Sequence, residues 1–80
     1  MKIDDFITEI RNRMKVKDFL RYRNEDDKST NVEFEFDGGL HLSIGVFDDE
    51  DEEAVFTIFR NKELLVADAL PMDKIVDAFG

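Results

Sequence analysis

The chain has 80 residues, 42% of them apolar, with eight Phe, no Cys and a formal net charge of −9. That length makes one domain, which buries only ~60% of the surface its unfolded chain exposes. The lack of cysteine excludes a disulfide framework and thiolate chemistry, and the acidity argues against direct binding of nucleic acid or anionic lipid, because phosphate contacts need Lys and Arg.

The charge is unevenly placed. Residues 1–23 carry seven bases against four acids, residues 24–53 carry twelve acids against Lys28 alone, and residues 54–80 are close to balance. The opening Met1-Lys2-Ile3-Asp4-Asp5-Phe6 has no continuous apolar stretch and bears acids early, unlike a signal peptide. No apolar run approaches the ~20 residues of a membrane span. Secreted domains of this size usually rely on disulfides, so a reducing, cytoplasmic setting is expected.

Ile3, Phe6, Ile7, Ile10 and Met14 recur at helical spacing. Asp4, Asp5 and Glu9 sit toward the start, and Arg11, Arg13 and Lys15 toward the end. Each group has the sign that the helix dipole favours there, so the pattern predicts an amphipathic helix over 3–14. Residues 16–23 admit two readings. Leu20 and Tyr22 alternate with Arg21 and Arg23 as in a strand, which we favour, yet the stretch also fits an extension of the helix. Residues 24–31 are polar and read as a loop.

Val32-Glu33-Phe34-Glu35-Phe36 alternates strictly and predicts a strand. Asp37-Gly38-Gly39 predicts a turn, and Leu40 to Val46 alternates again, completing a hairpin. Val32, Phe34, Phe36, Leu40, Leu42, Ile44 and Val46 then share the buried face, and Glu33, Glu35, His41 and Ser43 face outward. After the acidic run, Ala54 to Phe59 reads as a strand apolar on both faces, 60–63 as a turn and 64–68 as a last strand. Pro71 suits the first position of a helix, Met72, Ile75, Val76 and Phe79 have helical spacing, and Gly80 ends it.

The expected fold is therefore α+β: an antiparallel meander of four to five strands, with an N-terminal and a C-terminal helix packed on it. In such a meander alternate turns share an end. Glu25, Asp26 and Asp27 would join the run Asp48, Asp49, Glu50, Asp51, Glu52 and Glu53 in one negative pole.

Several readings of these acids compete. The run of residues 48–53 serves as a solvated loop that keeps the domain soluble, as a phosphate mimic steering toward a basic protein, or as a cation site. The last lacks the spacing and turn glycine of an EF-hand. Glu33, Glu35 and Asp37 lie at strand spacing, roughly 6–7 Å apart on one face. That matches the interval between phosphates of an extended nucleic-acid strand; the plainer reading is a solvent face. His41 is the only His, with no nucleophile motif around Ser43 and too few soft ligands for a metal. No catalytic residue, metal or cofactor is therefore expected. The basic residues Arg11, Arg13, Lys15, Lys17, Arg21 and Arg23 pair with the chain's own acids or meet an acidic pole of another copy, making a salt-sensitive dimer.

The stretch Met1-Lys2-Ile3-Asp4-Asp5-Phe6-Ile7-Thr8-Glu9-Ile10-Arg11-Asn12 resembles the N-terminal helix of a small phage-borne inhibitor family of the type II-A CRISPR nuclease. The shared pattern is Met-x-Ile-x-Asp-apolar-Ile-x-Glu-Ile-basic-Asn. The resemblance implies a helix, an antiparallel sheet and a helix, and an inhibitor whose acids replace DNA contacts on the surface that reads the motif beside the target. The acids of residues 25–53 would take that part here.

The function expected is a non-enzymatic acidic module, such as a DNA mimic or inhibitor, docking on a basic, nucleic-acid-binding protein surface. Glu33, Glu35, Asp37 and residues 48–53 would supply the charge. The alternative is a small accessory or dimerisation domain with an apolar interface and acids that only solubilise it.

Overall fold

The segment with acids first and bases last forms helix α1 (Ile3–Arg13), which buries Phe6 and Ile10 completely. Positions four apart project from one stripe, and Ile3 and Ile7 extend it as half-buried neighbours. Met14 caps the helix in an extended conformation and turns the chain into the sheet.

The computed structural model describes residues 1–49 and 53–79. Its strands are β1 (Val16–Asn24), β2 (Ser29–Phe36), β3 (Leu40–Phe47), β4 (Ala54–Arg60) and β5 (Glu63–Leu70), followed by helix α2 (Met72–Ala78). They lie in sequence order, each antiparallel to its neighbour. The α+β meander expected from the alternation is thus present with five strands.

Residues 16–23, which admitted a helix, belong to a strand that runs on to Asn24. Phe19 pairs with Phe34, and Leu20 with Glu33. The expected loop over 24–31 shrinks to 25–28, because Ser29, Thr30 and Asn31 pair with β1 on one side and β3 on the other. Their weak strand preference is overridden by that two-sided backbone pairing and by side-chain bonds within the segment. Asn31 Nδ2 donates to Ser29 Oγ at 2.9 Å, and Ser29 Oγ donates to Asp27 Oδ1 at 2.5 Å. Pro71 caps α2 rather than opening it, so Met72 is the first helical residue. Gly80 lies outside the described residues.

The tightest turn joins β4 to β5 through Asn61 and Lys62, at φ of 50° and 69°. Two successive left-handed residues match the twist of a hairpin. The β2–β3 turn is a single 3-10 turn, Asp37–Gly39, in which Gly38 and Gly39 have φ of 79° and 76°.

Both helices lie on one face of the sheet. Val32, Phe34 and Phe36 of β2, Leu42 and Ile44 of β3, and Ala54 and Phe56 of β4 form the core with Phe6, Ile10, Met72, Ile75 and Val76. Leu40 and Val46, expected among them, are only half-buried because they sit at the two ends of β3. Phe34 stands at the centre, with ring centroids 6.2 Å from Phe6, 6.3 Å from Phe19 and 6.0 Å from Phe36. Phe79 closes the far end 5.8 Å from Phe36. Each fully buried ring contributes about 1.5–3 kcal/mol of apolar transfer. No helix among the described residues is long and apolar enough to cross a membrane.

Candidate functional site

Among the described residues the opposite face of the sheet carries no helix. Pleating sends every second residue there, so it presents Asp18, Leu20 and Tyr22 from β1, Asn31, Glu33 and Glu35 from β2, His41 and Ser43 from β3, and Thr57 and Phe59 from β4. Its distinctive feature is charge. Asp18 lies directly opposite Glu35 across the β1–β2 ladder, and Glu33 is the next outward residue on the same strand. Like charges directly opposite in a sheet are destabilising. The local relief is slight: Lys17 Nζ is 4.0 Å from Glu35 Oε1, with both side chains about half exposed. His41 Nε2 is 3.3 Å from Glu33 Oε1, a contact that gains charge only when the imidazole is protonated.

Beside this trio the face dips into an open hollow of about 590 Å³. Glu33, Glu35, His41 and Ser43 form one side, and Thr57, Phe59, Asn61 and Lys62 the other. The His41 ring meets Phe59 edge-on at 6.5 Å. Gly39 lets the turn approach Asn61: its carbonyl accepts from Asn61 N at 3.0 Å, and a Cβ there would sit 2.1 Å from Asn61 Oδ1.

The second acidic feature is the pole. The β1–β2 and β3–β4 connections share one end of the sheet, and Asp48 N donates to Lys28 O at 2.9 Å, tying them together. Glu25, Asp26 and Asp27 therefore share this end with Asp48, Asp49 and Glu53. Arg23 is set among them. Its guanidinium donates to both oxygens of Asp48, at 2.7 and 2.6 Å, and Nε donates to Glu25 Oε1 at 2.9 Å. These bonds push the Arg23 pKa up, and the bond from Arg23 holds Asp48 below the usual carboxylate range. Asp48 and Glu25 are partly neutralised within the chain, while Asp26, Asp49 and Glu53 are exposed.

The row expected from Glu33, Glu35 and Asp37 needs correction. Asp37 leaves the strand and opens the 3-10 turn, at the end of the sheet away from the pole. The third carboxylate beside Glu33 and Glu35 is Asp18, which sequence reasoning passed over because 16–23 was not fixed as a strand. Its register against β2 was the missing signal. Glu50, Asp51 and Glu52 lie outside the described residues. The basic residues behave as chain-internal partners in several places. Arg21 bonds Asp4, Arg13 reaches Glu9 at 3.5 Å, and the Arg11 guanidinium lies 5.1 Å from the Phe19 ring centroid.

Among the described residues no group of three or more His, Cys, Asp or Glu side chains is placed to hold a metal ion. Compared with known proteins, the chain matches no protein-family model, no curated protein and no solved structure.

Proposed function

We propose that this domain works by binding, docking its uncovered acidic face on a basic surface of a partner protein. One observation carries the reading: Asp18 opposes Glu35 and adjoins Glu33 on a face that no helix covers among the described residues. Folding gains nothing from that arrangement. A partner's Arg and Lys side chains would turn the repulsion into attraction, and the hollow beside it offers Phe59 as an apolar wall. Carboxylates spaced roughly 6–7 Å along a strand and about 5 Å across a ladder approximate a run of phosphates. A nucleic-acid-binding protein is the partner whose surface is built for that pattern. The pole, through Asp26, Asp49 and Glu53, adds long-range steering.

The most specific form of this proposal is an inhibitor of a type II-A CRISPR nuclease, which rests on the resemblance of residues 1–12. In that segment Phe6 and Ile10 are buried in the core and Asp4 bonds Arg21. Contact with a nuclease would therefore fall to the acids of the sheet and pole.

The test is capture from lysate at low and moderate salt, comparing the native chain with Asp18→Asn/Glu33→Gln/Glu35→Gln. The expected result is a nucleic-acid-binding protein held by the native chain, released by added duplex DNA, and lost with the triple variant. Retention of the same partner by the folded variant sinks the proposal. Target cleavage by the purified nuclease, with and without the protein, decides the specific form.

A further inference from the structure

The two edges of the sheet are built differently. β1 is guarded along its length by Lys17, Asp18, Arg21 and Arg23, the charged side chains with which natural edges discourage pairing. β5 has no Lys, Arg or Pro between Glu63 and Leu70. Leu64, Leu65, Val66 and Leu70 are all exposed, the first two by more than half, at 51% and 55%. Val55 adds a fifth exposed apolar side chain on the adjoining strand. Val66 and Leu70 lie on the helix side of the sheet and Leu64 and Val55 on the uncovered side, so exposed apolar side chains flank this edge on both faces. Among the described residues β5 also has no neighbouring strand on its outer side.

We propose that β5 pairs antiparallel with β5 of a second copy, about a twofold axis through the middle of the strand, joining the two sheets into one. Charge selects this occupant and this direction. The turn end of the edge carries Arg60 and Lys62 against Glu63, a net of +1, and the other end carries Asp68 and Asp73 against Lys74, a net of −1. Antiparallel self-pairing sets the basic end of each copy alongside the acidic end of the other, whereas parallel pairing would set like beside like. The acidic pole lies at the end where Leu70 pairs with Ala54. Antiparallel pairing sends the two poles to opposite ends of the dimer, where mutual repulsion is least. The single irregularity, a bulge between the partners of Ile58 and Phe59, lies near the turn and leaves Val66 to Leu70 in regular register. The interface is isologous, closes on itself and ends growth at two copies. It uses none of the carboxylates of the uncovered face, so this inference and the docking proposal fail independently.

Sedimentation equilibrium of the full chain tests it, at about 100 μM, where even micromolar pairing is nearly complete. The expected result is a dimer that persists at high salt. Ala67 is exposed on the outer side of β5, so Ala67→Lys leaves the core intact while setting a charge on the pairing edge. It should weaken the dimer by about tenfold or more. Leu20→Lys, on the opposite edge, should leave the dimer unchanged. Far-ultraviolet circular dichroism of each variant separates loss of pairing from loss of fold. A monomeric native chain overturns the proposal, as does a folded Ala67→Lys variant that dimerises like the native chain. Dissociation by Leu20→Lys alone places the interface at β1 and overturns it too.

Discussion

The two faces of this sheet are made by the same strands and obey opposite rules. On the helix-covered face Val32, Phe34, Leu42 and Ile44 are essentially fully buried, and each has apolar neighbours in the core. On the uncovered face the residues that alternate with them include Asp18, Glu33 and Glu35, held together by the same backbone register. Packing accounts for the first face, since changing any of its residues leaves a cavity. It does not account for the second, where the arrangement costs stability and Lys17 and His41 compensate it only slightly. A local conflict in an otherwise consistent fold is where function is expected.

The largest effect should come from the covered face. Phe34→Ala removes the ring that Phe6, Phe19 and Phe36 surround, and should cost about 3–5 kcal/mol. Stabilities of small domains are of that order, so urea denaturation should find the variant largely unfolded at room temperature. A loss below about 1 kcal/mol would mean that the two helices do not close a single core.

The turns beside the hollow come next. Gly39→Ala faces both a left-handed backbone at φ 76° and a Cβ 2.1 Å from Asn61 Oδ1. Gly38→Ala meets only the backbone strain, since nothing lies within 4 Å of its Cβ. The first should cost about 1–3 kcal/mol and the second about 1 kcal/mol. Equal losses in thermal melts would show that Asn61 yields freely and does not fix the rim of the hollow.

The uncovered face should respond in the opposite direction. Asp18→Asn removes one of two opposed carboxylates and should stabilise the domain by about 0.2–1 kcal/mol, reduced by salt because both groups are exposed. It should weaken binding to a basic partner in the same experiment. A destabilised Asp18→Asn would erase the contrast between the faces and with it the argument for the site.

How much of this was legible in the sequence follows from the period of each segment. Alternation at 32–36 and 40–46 displays its two faces without any partner, and the strands of that hairpin lie where the alternation puts them. The segment 16–23 does not alternate cleanly, because as an edge strand it carries charge on both faces. Its assignment depended on a partner strand, and so did the place of Asp18. Ser29, Thr30 and Asn31 look like loop residues since their pairing is non-local. Gly45 reads only as one position of the second alternating strand, although a Cβ there would meet Asn31 Oδ1 at 2.7 Å. The gathering of the two acidic loops followed from meander topology alone. What topology could not supply was Arg23, which holds Asp48 and Glu25 from within the pole.

That clamp gives the smallest effect and the most direct reading of how the pole is held. Asp48 titrates below the usual carboxylate range because Arg23 donates to it. A carboxyl whose native pKa is lowered contributes stability above its unfolded pKa and loses it as pH falls through the lowered native value. Arg23, with its pKa raised, stays charged throughout and adds no pH dependence of its own in that range. Acidification should therefore release the Arg23–Asp48 bond only below the ordinary carboxylate range, so the pole is preassembled at neutral pH. Arg23→Gln should return Asp48 toward its ordinary titration, read from its carboxyl carbon by NMR, with little change in melting temperature because the pair is exposed. It should also leave the pole more negative, and so steepen the salt dependence of binding to a basic partner. If Asp48 titrates alike in the two proteins, the loops are held together by the backbone bond from Asp48 to Lys28 and the guanidinium is incidental to the pole's shape.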